Sequence, residues 1–186
     1  MPRLFDINFP LSTKFAALLV VLLTFLSTIP APTLARDDLS AYDTRTAAPA
    51  FELADPSGKR YALKDYKGKV LVVNFWATWC PPCRKEMPSM QRLWRALQAQ
   101  GVELIAIDFG ESAEDVAAFA AETGIEIPLL LDPTGDIVHK FKAVGLPTTF
   151  IIDRQGRLAY HAAGEREWDA PKIAAVLAKL AAEPLN

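Results

Sequence analysis

The two cysteines of this 186-residue chain, Cys80 and Cys83, lie three residues apart and constrain the fold more than any other feature. Directly before them, the continuous apolar and β-branched run 70–76 (VLVVNFW) is typical of a strand covered on both faces. After them, apolar side chains recur at three- and four-residue steps over 83–100, which predicts a helix that Gly101 ends. The pair is therefore expected where a central strand passes into a helix.

This position favours redox chemistry. A cysteine at a helix N-terminus faces unpaired backbone N–H groups and the positive end of the helix dipole, which stabilise its thiolate. Cys80, just ahead of the helix, is expected to expose the sulfur that attacks a partner's disulfide. Cys83, in the first turn, is expected to resolve the mixed disulfide and release the reduced partner. Pro81 and Pro82 stiffen the turn between them and lack N–H donors, so we expect them to tune the reduction potential.

Two other uses of a cysteine pair explain the sequence less well. A structural disulfide across so short a loop would constrain the unfolded chain by only about 2 kcal/mol, against about 3 kcal/mol for a 15-residue loop. A zinc site would need two further ligands, and the two histidines, His139 and His161, lie on different predicted elements. No metal and no cofactor are therefore expected.

Strands and helices alternate along the rest of the chain. Turn residues at 55–58 separate two short runs, 50–53 and 60–63, which predict a hairpin. Further strands are predicted at 102–109, 127–131, 148–153 and 158–162, and further helices at 112–123, 136–143 and 169–182. This order predicts an α/β fold in which a mixed central sheet is flanked by helices.

The first 35 residues have the layout of a secretory signal peptide. An apolar run over 15–26 follows two basic residues, Arg3 and Lys14, and precedes a stretch rich in Pro and Ala. Its length of about 12 residues is below the roughly 20 that a membrane-spanning helix needs, which favours cleavage near Ala35 over a retained membrane anchor. We expect a polar linker over 36–48 and one folded domain over 49–183.

The charge of the chain argues against nucleic acid as a partner. Its formal net charge is -2 at pH 7. Such a chain lacks the overall basic field that attracts phosphate backbones. Export would instead place the domain in an extracytoplasmic compartment, where a cysteine pair can be held oxidised.

Two segments carry a resemblance to a known family. The run 74–83 (NFWATWCPPC), with Glu86-Met87-Pro88 after it, and the run 145–153 (GLPTTFIID) resemble the TlpA/ResA/CcmG-like branch of the thioredoxin superfamily. The resemblance covers about residues 49–180 and implies a thioredoxin fold with an N-terminal β-hairpin and a central helix–strand insertion, here over 112–131. It also implies a bacterial thiol-disulfide oxidoreductase of the periplasm, secreted or tethered to the inner membrane. Members mostly reduce disulfides in cytochrome c maturation, copper-site assembly or related pathways.

The resemblance also implies the site residues. Pro147 matches the family's cis-proline, in a loop that faces the cysteines, where the backbone of Leu146 would offer strand-like hydrogen bonds to a bound peptide. Glu86 matches a glutamate thought to tune or relay the proton of the buried cysteine, Cys83. An acid in the first helical turn could equally complement the helix dipole. The expected client-contact residues are Trp79, Pro81, Pro82, Leu146 and Pro147.

The chain departs from thioredoxin itself at Asn74, where thioredoxin has a buried aspartate. An amide cannot take a proton, so Glu86 would be the only acid near the cysteines able to do so. The aromatic Trp76 could serve either packing or client contact.

Expected partners are client proteins with disulfides or thiols and a membrane or periplasmic electron donor, and the protein is expected to be a monomer. Two other functions stay open. A peroxiredoxin-type thiol peroxidase normally presents a Pro-x-x-x-Thr-x-x-Cys pocket, which the spacing of Thr78 and Cys80 does not fit. A non-catalytic Cu(I) chaperone would use the two thiolates with further ligands, for which Met87 and Met90 are candidates.

Overall fold

Residues 38–185, which a computed structural model describes, form a mixed sheet, a hairpin and flanking helices. The strands are β1 (Ser40–Ala41), β2 (Glu52–Ala54), β3 (Arg60–Ala62), β4 (Val70–Trp76), β5 (Val102–Phe109), β6 (Leu129–Asp132), β7 (Thr148–Ile152) and β8 (Leu158–Ala163). The helices are α1 (Pro81–Leu97), α2 (Ala113–Thr123), α3 (Asp136–Lys140) and α4 (Pro171–Ala181). Six strands pair in the order β1-β8-β7-β4-β5-β6, while β2 and β3 form a separate antiparallel hairpin. The predicted α/β architecture is confirmed.

Strand β4 lies at the centre of the sheet, as its unbroken apolar run predicts. It pairs in parallel with β5 and antiparallel with β7, and every one of its residues is buried. Because strand side chains alternate, β4 supplies two cores on opposite faces of the sheet. The first core contains Val70, Val72 and Trp76 with side chains of α1, α2 and α4, and the second contains Leu71, Val73 and Phe75 with side chains of α3 and the hairpin.

Helix α1 begins at Pro81, two residues earlier than predicted. Its N-cap is Cys80, which precedes the helix in extended conformation. Pro81 and Pro82 occupy the first helical positions, where a backbone N–H has no intrahelical partner and its loss costs nothing. The prolines therefore start the helix instead of delaying it, and Cys83 lies inside the first turn.

The segment after β5 forms the helix–strand insertion that the resemblance implies. Helix α2 begins after Ser112, whose side chain accepts a hydrogen bond from the Asp115 N–H, and ends at Gly124 in the left-handed conformation (φ 69°). Strand β6 then pairs in parallel with β5 at the edge of the sheet. The insertion thus extends the sheet by one strand.

The predicted linker over 36–48 is wrong for the part that the structure describes. Strand β1 pairs antiparallel with β8, and the Tyr42 N–H donates to the Ala159 carbonyl (3.0 Å). Arg45 then forms ion pairs with Asp153 (3.3 Å) and Glu183 (2.6 Å). This segment lacks periodicity because backbone pairing and ionic contacts hold it, and the folded domain therefore begins before Pro49.

The predicted signal peptide or anchor, 1–35, lies outside the described residues. Within 38–185, no helix is both long enough and apolar enough to cross a membrane.

Candidate active site

The two cysteines form a disulfide at the junction of β4 and α1. The bond joins Cys80 and Cys83, with Cα atoms 5.3 Å apart. The Cys83 N–H points at the Cys80 sulfur, 3.3 Å away, as expected for a sulfur at a helix N-terminus. Cys80 is 4% exposed and Cys83 is fully covered. Cys80 is therefore the sulfur that solvent can reach, although less of it is open than the sequence predicts.

An open groove of about 500 Å³ lies beside Cys80. Its lining is mostly apolar and includes Trp79, Pro81, Pro82 and Leu146, together with Phe109, Val138, His139, Ala143, Val144 and Gly145. Trp79 projects from this surface and is 62% exposed. The groove brings together four of the five residues predicted to contact a client.

The fifth, Pro147, is buried and does not line the groove. Its peptide bond with Leu146 is cis, and its carbonyl accepts a hydrogen bond from the Gly164 N–H (2.9 Å). Within residues 38–185, the backbone N–H and C=O of Leu146 have no hydrogen-bond partner. Leu146 therefore presents the free backbone groups that an extended peptide could pair with.

Glu86 is a buried carboxyl on α1, only 1% exposed. Its Oε1 accepts a hydrogen bond from the Asn74 side-chain amide (2.9 Å). Its Oε2 accepts two more, from the Trp168 indole N–H (3.0 Å) and the Arg166 backbone N–H (3.3 Å). Burial raises the pKa of Glu86 to about 7, and these hydrogen bonds to the carboxylate keep it from rising further.

The start of α1 at Pro81 argues against one of the two explanations of Glu86. The first turn of this helix contains no acidic residue, since Glu86 falls in the second turn. The helix dipole acts mainly on the first turn, so complementing it does not account for a buried carboxyl here. Glu86 lies three residues after Cys83 on the same helix face, where side chains are neighbours. A carboxyl with a near-neutral pKa at this position can hold or accept a thiol proton.

Sequence reasoning missed the residues that hold Glu86 in place. Arg166 and Trp168 lie in the segment between β8 and α4, some 80 residues from Glu86. The Arg166 guanidinium is itself buried, donates to the carbonyls of Asp38 (2.6 Å) and Ala163 (2.9 Å), and lies over the Trp168 ring. The sequence pointed to this segment only through Trp168, an aromatic residue shortly before the last helix. Residues 166–168 therefore contact both Asp38, at the start of the described residues, and the Glu86 carboxyl.

The structure also buries a second acid on the strand next to β4. Asp108, near the end of β5, is fully buried and pairs across the sheet with Trp76 of β4.

Trp76 has a packing role, since it is fully buried against Phe119 with ring centroids 4.7 Å apart. The methionines considered as copper ligands, Met87 and Met90, are likewise buried in the core.

Comparison with known proteins agrees with this geometry. The profile of the AhpC/TSA family matches residues 44–161. The thiol-disulfide oxidoreductase ResA of Bacillus thuringiensis subsp. konkukian is 40% identical over 119 residues, which is 64% of this chain and 69% of that protein. ResA of Bacillus subtilis is 41% identical over 111 residues, 60% of this chain and 62% of that protein.

Solved structures show the same fold. A thiol:disulfide interchange protein of the thioredoxin family from Chlorobium tepidum is 30% identical, with a TM-score of 0.65 over 74% of this chain and 99% of its own. A secreted thiol-disulfide isomerase from Corynebacterium glutamicum is 26% identical, with a TM-score of 0.69 over 82% of this chain and 96% of its own. With its Cys-x-x-Cys disulfide at a helix N-terminus, the chain belongs to the AhpC/TSA family, has the thioredoxin fold and is a thiol-disulfide oxidoreductase similar to ResA.

Proposed function

We propose that this protein reduces disulfides of client proteins in an extracytoplasmic compartment, in cytochrome c maturation or a similar pathway. The observation that carries the proposal is the asymmetry of the disulfide. Cys80 lines an open groove, whereas Cys83 is closed off from solvent and has a buried carboxyl, Glu86, one helical turn away. One sulfur is suited to meet a client, and the other is suited to react only within the protein.

The reaction starts from the reduced protein. The Cys80 thiolate attacks one sulfur of the client disulfide, which breaks that bond, forms a mixed disulfide and releases the client's other sulfur as a thiolate. Cys83 then transfers its proton to the Glu86 carboxylate and attacks the Cys80 sulfur. The client leaves with two reduced sulfurs, and the protein keeps the Cys80–Cys83 disulfide seen in the structure. An extracytoplasmic thiol donor returns two electrons and two protons to complete the cycle.

The client lies in the groove as an extended segment. The free backbone groups of Leu146, beside the cis bond to Pro147, support pairing with the client backbone next to its cysteine. Trp79, Pro81 and Pro82 supply apolar contact without losing much side-chain freedom, because prolines are rigid and Trp has only two rotatable bonds. The groove therefore suits an apolar segment around the client's disulfide.

The compartment is the periplasm, reached through residues 1–35 as a cleaved signal peptide or a retained inner-membrane anchor, with the thioredoxin-like domain ending near residue 183. A disulfide-forming pair is in keeping with an oxidising compartment. Mass spectrometry of the mature N-terminus tests cleavage near Ala35, which an intact Met1 on membrane-bound protein would contradict. The protein works as a monomer, which sedimentation of the purified protein checks.

Variants of the two cysteines test the reaction. Cys80→Ala is expected to abolish reduction of insulin disulfides, because the remaining Cys83 is buried. Cys83→Ala is expected to trap mixed disulfides with clients, since the resolving thiol is lost. Lys85→Gln, on the exposed side of α1 and in an ion pair with Glu165, is the control and should retain activity. Full activity of either cysteine variant would refute the mechanism.

The reduction potential of the pair tests the direction of electron flow. A value near thioredoxin's, about −270 mV, is expected for a reductase, whereas about −120 mV would make the protein an oxidant. Hydrogen peroxide consumed faster than insulin disulfides would instead favour a thiol peroxidase.

A further inference from the structure

Glu111 holds the turn that carries Cys80. Chain direction changes over residues 77–80, where the Cys80 N–H donates to the Ala77 carbonyl (3.2 Å). Thr78 is the second residue of this turn, and the Glu111 carboxylate accepts both of its donors, the backbone N–H (2.6 Å) and the side-chain hydroxyl. A bidentate contact of this kind fixes backbone and side chain together. Glu111 therefore restrains the turn two residues before the attacking sulfur.

Asp108 lies directly behind Glu111. Its Oδ1 accepts a hydrogen bond from the Glu111 backbone N–H (3.0 Å). Its Oδ2 is buried and has no hydrogen-bond partner within residues 38–185. A buried carboxylate oxygen without a donor is costly, whereas a protonated one can donate to a neighbouring carboxylate.

The charged groups that act most strongly on Asp108 are acidic. They are Glu111 in the following turn and Asp115 in α2. The register partners of Asp108 on the neighbouring strands are Trp76 and Leu131, neither of which is charged. Burial, and next to it the Glu111 side chain, raise the pKa of Asp108 well above its ordinary range, so the carboxyl keeps its proton at neutral pH.

We infer that Asp108 and Glu111 together position the active-site turn: Asp108 accepts a hydrogen bond from the backbone N–H of Glu111, and the Glu111 carboxylate holds Thr78. Glu111 and Asp108 are positioning residues, because they act on Cys80 through Thr78 and do not touch the client. While Asp108 is protonated, no negative charge is buried behind Glu111, and the contact with Thr78 is kept. At high pH the proton is lost, two carboxylates repel each other, and the turn loosens while a second negative charge disfavours the Cys80 thiolate.

The rate at which iodoacetamide alkylates Cys80 in the reduced protein, followed from about pH 6 to about pH 10 around the ordinary thiol pKa, tests this inference. The wild-type protein is expected to show a broadened, two-step rise, because the thiol and the Asp108 carboxyl titrate over overlapping pH ranges. Asp108→Asn keeps the shape but cannot ionise, so its profile should be a single step with a lower midpoint. Glu114→Gln removes an equivalent exposed charge from the first turn of α2 and should leave the profile as in the wild type.

Insulin reduction supplies a second readout. Glu111→Gln keeps one acceptor for Thr78 and loses the other, so kcat/KM should fall about tenfold, as expected for one lost hydrogen bond to a charged group. Thr78→Val removes only the hydroxyl and should lower kcat/KM in the same direction if the glutamine variant does not fold. The inference would be overturned if these variants had the same alkylation profile and the same kcat/KM as the wild-type protein. The inference rests on the proposed function, in which Cys80 is the attacking sulfur. Alkylation of Cys80 needs no client protein. Failure of the proposed reductase activity would therefore be seen separately, as wild-type protein that iodoacetamide alkylates but that does not reduce insulin.

Discussion

Replacement of Glu86 by glutamine should remove a pH dependence from the stability of the oxidised protein. The carboxyl is almost fully buried, and its pKa is about 7 in the folded protein against an ordinary value of 4.5. The folded state therefore binds a proton more tightly than the unfolded state does. By linkage, the free energy of unfolding falls wherever the unfolded state binds fewer protons, which here means as the pH rises from about 4.5 to about 7.

The size of the effect follows from the same two values. Each pH unit across this interval is worth about 1.4 kcal/mol, so ionisation of Glu86 lowers the free energy of unfolding by about 3 kcal/mol in total. The full stability is present below about pH 4.5 and this share of it is lost above about pH 7. Because the side chain is only 1% exposed, solvent screening takes little from this figure.

Glutamine fits the site if the Asn74 amide rotates. The Gln oxygen can replace Oε2 and keep the donors from Trp168 and Arg166. Its NH₂ then needs an acceptor, and the Asn74 Oδ1, which is buried and has no partner within residues 38–185, can supply one after rotation. Rotation also moves the Asn74 NH₂ away from the Thr149 hydroxyl, to which it donates at 2.9 Å, so the replacement costs some stability, by an amount that does not depend on pH.

The assay is urea unfolding of wild-type and Glu86→Gln proteins, both oxidised, from about pH 4 to about pH 8, across the Glu86 transition. The difference between their free energies of unfolding cancels every other titrating group. It should shift by about 3 kcal/mol in favour of the variant as the pH rises. Lys85→Gln, one residue away on the exposed side, should show no such shift. A difference that stays constant with pH would refute the raised pKa and the proton-holding role together, as would an unchanged pH dependence of thiol exchange.

Two further predictions concern neighbouring contacts. Trp168→Phe removes the indole N–H that donates to Glu86, so the carboxylate loses a stabilising hydrogen bond and the pKa of Glu86 should rise above about 7. The chemical shift of the Glu86 carboxyl, followed against pH, measures this pKa. An unchanged midpoint would show that the contact does not affect the pKa. Gly135→Ala should lower the free energy of unfolding by roughly 2 kcal/mol, because Gly135 is left-handed (φ 74°) and an added Cβ would lie 2.4 Å from the Phe109 ring. Thermal unfolding measures this change. A variant as stable as the wild-type protein would contradict the clash.

The elements that sequence alone predicted well are those whose signal is local. The β4 run is buried along its whole length, and β5 spans the predicted residues, because a strand covered on both faces must be apolar throughout. The Cys-x-x-Cys pair at the strand–helix junction and the motif around Pro147 likewise lie within short segments. The start of α1 was missed by two residues because prolines, which interrupt a helix elsewhere, favour its first turn.

Sequence by itself determined the fold class, the cysteine pair and the family. Tertiary structure alone decided that Ser40–Ala41 completes the sheet, since a two-residue strand has no periodicity and is held by β8, more than 100 residues later. It also decided the chemistry of the acids. The same carboxyls would ionise normally in water, and the pKa values of Glu86 and Asp108 are raised because segments distant in sequence exclude water from them. Periodicity is a property of neighbouring residues, whereas burial and hydrogen-bond partners are settled only when the whole chain has folded.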